Sequence, residues 1–137
     1  MTRRRFTLSG LLMFLSAANG EENPVSLRGK LDQRQGQPPV LTMAGGRTVT
    51  LEGDDQTTGV LRDPRVNGMD FEVIGSQVGD TFRILPIHKR AMFVHQNGKR
   101  LFVTYWCAVC AIRTYTPGVC LCCQDQTALD LREKLDN

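Results

Sequence analysis

Cysteine is absent from the first 106 residues of this 137-residue chain, and histidine occurs only at His88 and His95. Neither histidine has an acid or a second histidine at ligand spacing along the sequence. No Ser-His-Asp arrangement, phosphate-cradling glycine loop or pair of catalytic carboxylates is visible, so the sequence makes no positive case for an enzyme. Nor is there a membrane span: the apolar run from Leu8 to Ala18 falls short of the roughly 20 residues that a crossing helix needs. An excess of one charge is missing too. Of 17 lysines and arginines, three are Arg3, Arg4 and Arg5, and the rest of the chain holds 14 basic and 14 acidic residues. Residues 21–137 are formally neutral, which removes the basic footprint of a nucleic-acid binder.

What is present begins with residues 1–20, "MTRRRFTLSGLLMFLSAANG", which have the basic start, apolar middle and small-residue end of an export signal. Cleavage is expected after Ala18 or Gly20. No cysteine stands at either place, so a lipid anchor is not expected, and membrane contact would come only through an uncleaved signal. The opening resembles a bacterial twin-arginine signal through Thr2, Arg3, Arg4 and Phe6, with Thr7 and Leu8 departing from its usual ending. That resemblance implies delivery to the periplasm of a protein already folded, with any metal inserted beforehand. The alternative is an ordinary secretory leader, which would deliver the cysteines unfolded into an oxidising space.

Residues 21–90 read as a small β domain. In "VSLRGKL", Val25, Leu27 and Leu31 share one face against Arg28 and Lys30, with Gly29 at a bend. "VLTMAGGRTVTLEG" predicts two strands around a two-residue turn at Gly45-Gly46. Asp54 or Asp55 caps a helix of one or two turns that ends before Pro64. Strands carrying Met69, Phe71 and Val73, then Phe82 and Ile84, follow, with Gly75 to Gly79 as their link. Three strands, a short helix and two strands is an order that resembles the OB-fold, a small Greek-key barrel. A small sandwich or an open sheet is the competing arrangement.

Residues 91–137 open with "AMFVHQNGKRLFVTYW". Asn97-Gly98 is a preferred pair for a tight hairpin turn, and it pairs Gln96 with Lys99, His95 with Arg100, Val94 with Leu101, Phe93 with Phe102 and Met92 with Val103. The second strand runs straight into a stretch that holds all five cysteines of the chain, Cys107, Cys110, Cys120, Cys122 and Cys123. Cys107 and Cys110 with Cys120 and Cys123 form a C-x2-C…C-x2-C set, in which two tight turns offer four thiolates to one tetrahedral ion. Cys122 is an alternative ligand. The spacing resembles zinc ribbons and rubredoxin-like knuckles, and Tyr105, Cys107, Pro117, Gly118, Cys120 and Cys123 resemble short bacterial heavy-metal-binding modules. Those knuckles usually carry glycine after the second cysteine of each pair, where Ala111 and Gln124 stand here. The resemblance implies zinc, with iron or copper as alternatives. No histidine follows Cys110, which excludes covalent haem attachment. Two disulfides and a leftover thiol, or a working redox pair, are the other uses of such a cluster.

The remaining polar and aromatic residues read as structure. Asp54, Asp55, Asp63 and Asp70 suit caps and turns, and "HKR" at 88–90 with "GKR" at 98–100 suits a solvated surface. Tyr105, Trp106 and Tyr115 are expected to shield the cysteines, His95 to face Arg100, and Leu131 to pack the tail onto the domain. The expected protein is an exported, non-enzymatic, OB-like barrel with a hairpin and a tetrathiolate knuckle, a binding or scaffold module whose ligand or protein partner would sit on the barrel face. A redox or electron-transfer protein, or a metal carrier, is the alternative.

Overall fold

The computed structural model describes residues 23–135, so the expected export signal lies outside the described residues. Its first five strands are β1 (Val25–Asp32), β2 (Val40–Thr42), β3 (Thr48–Glu52), β4 (Asp70–Val78) and β5 (Thr81–Ile84), and helix α1 (Asp55–Leu61) lies between β3 and β4. Neighbours run β1-β2-β3-β5-β4, and β4 pairs back onto β1, which closes a five-stranded barrel. One rung of closure is parallel, β3 to β5, with Leu51 opposite Phe82. The strand order, the closure and the helix position are those of a small OB-like barrel.

Alternation of apolar residues builds this shape. Leu31, Leu41, Val49, Leu51, Phe71, Val73, Phe82 and Ile84 point inward and are buried, and Val60, Leu61 and Val66 close one part of the core from α1 and the turn after it. The helix starts where expected: the Asp54 carboxylate accepts from the Thr57 amide at 2.8 Å. Pro64 then opens a short 3-10 turn over Pro64–Val66. Gly29 sits where β1 turns from β4 toward β2, and a Cβ there would overlap the Thr42 carbonyl oxygen.

Two glycine assignments differ from expectation. Gly45 and Gly46 do take positive φ (87° and 85°), but Thr42 pairs with Thr48, so the link spans Met43–Arg47 rather than two residues. The Met43 amide, donating to the Arg47 carbonyl at 2.7 Å, closes that wider loop. Gly75 is no part of a turn. It lies within β4 opposite Ile84, the reversal occurs at Gly79-Asp80, and a Cβ on Gly75 would collide with the Arg83 carbonyl. Glycine here permits close approach of two backbones, a use that spacing alone does not separate from a turn.

Beyond the barrel, β6 (Met92–Gln96) pairs with β4, and β7 (Lys99–Cys107) pairs with β6, so the hairpin extends the barrel sheet. Four of the expected hairpin pairs, from Gln96 with Lys99 to Phe93 with Phe102, occur in that register. Asn97 and Gly98 both adopt positive φ, as that turn requires. Strand β8 (Ile112–Thr114) follows β6 along one edge of β7, and β9 (Ala128–Arg132) lines the other, with Leu131 opposite Val103. Leu131 therefore packs the tail as a strand. No helix among the described residues is long and apolar enough to cross a membrane.

Candidate metal centre

Strand β7 positions the first ligand. Val103, Tyr105 and Cys107 alternate onto its core-facing side and all three are buried, so Cys107 ends a row whose orientation the core dictates. After it the chain turns back through Cys110, whose amide donates to the Cys107 sulfur at 3.4 Å, and enters β8. The second pair sits on a loop whose neck is closed by the Thr127 amide, which donates to the Gly118 carbonyl at 3.0 Å. Within it, Cys120 N donates to the Asp125 carbonyl and Gln124 N to the Cys120 carbonyl, both at 2.8 Å.

These two turns bring the sulfurs of Cys107, Cys110, Cys120 and Cys123 within 4.8 Å of one another. Cys107 Sγ and Cys123 Sγ, one from each pair, are 3.5 Å apart. Four sulfurs bound tetrahedrally at about 2.3 Å from an ion lie about 3.8 Å from each other, so the group can hold one metal ion with small adjustments. Cys107 and Cys120 are buried, Cys110 and Cys123 half-buried. Cys122 is exposed and is not one of the four.

Electrostatics make the four thiols unequal. The backbone amides of Cys123 and Cys122 hold Cys120 down to about 7. Hydrogen bonding with the Cys122 thiol, then burial and the other sulfurs of the cluster, pushes Cys110 far above the ordinary thiol range. Four thiolates at this separation repel one another, and a divalent cation among them removes that penalty.

Ala111 and Gln124, where the knuckles that this spacing resembles place glycine, adopt the left-handed conformation that glycine would supply, with φ of 53° and 69°. The turn geometry is retained at the cost of backbone strain. Around the turns the surface is apolar. Val109 and Leu121 are 70% and 90% exposed, and Ile112 and Val119 are exposed as well.

The aromatic neighbours have polar and charged partners of their own. Tyr105 points into the core, where its hydroxyl donates to Asp63 Oδ2 at 2.8 Å. Trp106 lies on the other face of β7 against the Arg113 guanidinium, and Tyr115 carries the Arg90 guanidinium 3.7 Å from its ring centre. His95 does pair with Arg100, but Glu72 of β4 stands with them: its carboxylate meets His95 Nε2 at 2.8 Å, Arg100 Nε at 2.9 Å and Ser26 Oγ at 2.6 Å. That acid is 23 residues from His95 in sequence, outside the range of any local spacing. The aspartates act as caps and partners: Asp54 and Asp63 cap turns, and Asp70 binds Arg28 through two hydrogen bonds.

No protein-family model, curated protein or solved structure matches this chain.

Proposed function

We propose that this chain is an exported, non-enzymatic β-barrel module of the bacterial periplasm in which Cys107, Cys110, Cys120 and Cys123 hold one structural zinc ion. The observation that carries it is the convergence of four sulfurs within 4.8 Å on two C-x2-C turns at the end of a core-anchored strand. A closed set of four protein ligands leaves no position for substrate or water, the hallmark of a structural zinc site. Such an ion adds folding energy to two loops that carry few buried apolar side chains of their own. The leader, with its twin-arginine resemblance, supports loading before export, while the thiols are still reduced. The barrel face is left for a ligand or protein partner.

One observation favours a metal carrier as the second reading. Cys122, exposed and next to Cys123 in the chain, is a fifth thiol beside the cluster.

Native mass spectrometry of the protein recovered from its exported location tests both. One zinc per chain with thiols intact is expected, lost in Cys110→Ser and kept in Cys122→Ser. Rapid passage of the zinc to a competing thiol chelator, slowed in Cys122→Ser, would favour the carrier. Bound iron would make the centre an electron carrier, and a metal-free mass four hydrogens light would replace the metal with two disulfides.

A further inference from the structure

One buried carboxylate connects both cysteine pairs to the barrel. Asp63 follows α1 and has only 3% of its side chain exposed. It accepts from the Arg65 amide at 3.1 Å, from Arg65 Nε at 3.0 Å and from the Tyr105 hydroxyl at 2.8 Å. Burial by itself would raise this carboxyl, yet the bonds from Arg65 and Tyr105 hold it below the usual range. Asp63 is therefore a fixed negative charge.

Two arms leave it. Tyr105 lies two residues before Cys107 on the same face of β7, so the first arm sets the strand that presents the Cys107–Cys110 turn. Along the second, Arg65 Nη1 donates to the Thr127 carbonyl at 2.9 Å, while the guanidinium lies 5.1 Å from the centre of the Tyr105 ring. Thr127 in turn closes the neck of the loop that carries Cys120 and Cys123, donating to the Gly118 carbonyl from its amide at 3.0 Å and its hydroxyl at 2.8 Å. Removing either partner of this network would leave a buried charge or acceptor unsatisfied, so the arms hold a defined geometry.

We propose that Asp63, acting through Arg65 and Tyr105, is a positioning residue for the metal centre that sets the Cys107–Cys110 pair against the Cys120–Cys123 pair. This rests on the metal-site reading. Groups that orient metal ligands from behind affect metal affinity by about 10- to 100-fold when altered. The tether also works in reverse: an ion that clamps the two pairs restrains Arg65 and the barrel end where α1 sits.

The test uses the full-length, zinc-loaded protein and follows transfer of zinc to a chromogenic chelator. Arg65→Met, which keeps the aliphatic stem but not the bonds to Asp63 and Thr127, is expected to release zinc about tenfold faster or more. Cobalt substituted into that variant should show shifted absorption bands. The control is Val49→Ala, a core truncation on β3, which shares no hydrogen bond with Asp63 or Arg65; it should lose thermal stability yet release zinc at the parent rate. Release from Arg65→Met no faster than from Val49→Ala overturns the proposal. Should Arg65→Met not fold, Asp63→Asn, which keeps volume but not charge, is read by the same criterion. A parent protein that takes up no zinc sinks the metal site and this role together, whereas a zinc-binding parent with unaltered variants sinks the positioning role alone.

Discussion

Ala111 and Gln124 occupy backbone conformations that disfavour any residue with a Cβ, by roughly 1–2 kcal/mol in the left-handed region. Both close a turn that must aim amides at sulfur, so the surrounding bonds impose the conformation. Ala111→Gly and Gln124→Gly are therefore each expected to stabilise the protein by about 1 kcal/mol, net of glycine's greater freedom when unfolded. Thermal melts of the two variants would check this, and a fall in midpoint for both would count against strain at these turns. At this scale the sequence was informative about which cysteines converge and silent about the partners of their neighbours. The four cysteines were legible because two short spacings carry their geometry. Tyr105 shares the face of β7 that carries Cys107, and its hydroxyl reaches Asp63, 42 residues away, a partner that no local spacing announces.

Among the elements, the junction of β1, β4, β6 and β7 gathers several charged side chains around Glu72. Glu72 is drawn down from its ordinary 4.5 to about 2: burial alone would raise it, and the bonds from Ser26, His95 and Arg100 more than offset that. A carboxylate depressed in the folded state contributes stability that is complete above its unfolded value and lost as pH falls through its folded one. Acid titration should thus weaken the protein between about pH 4.5 and 2 through this group. Glu72→Gln is expected to flatten that limb and to cost on the order of 3 kcal/mol near neutrality; urea midpoints across the pH range would show it. An unchanged acid limb in the variant would assign the effect elsewhere. Local signals made the β6–β7 hairpin readable to the exact pair, since Asn97-Gly98 and the flanking apolar residues all lie within one short segment. The Glu72 junction joins β1, β4 and the β6–β7 hairpin, three separate parts of the chain, and no short-range pattern announces it.

For the whole molecule, barrel closure depends on two glycines that let backbones meet. Gly75→Ala should destabilise the protein by about 3 kcal/mol, because the Arg83 carbonyl is backbone and has little room to move. A urea midpoint unchanged from the parent would contradict the close contact. The OB-like order was visible in advance because strand, helix and strand followed one another in the chain. Which glycine turns and which admits a neighbour depended on register, and register is set by packing across the closed barrel.

The barrel strands end at Ile84, whereas the four clustered cysteines run from Cys107 to Cys123. A ribosome adding about 5–20 residues per second therefore completes every barrel strand a second or more before it makes the first cysteine. On the proposed reading, metal capture comes after every barrel strand has been made, on a scaffold whose strands need no ion to meet.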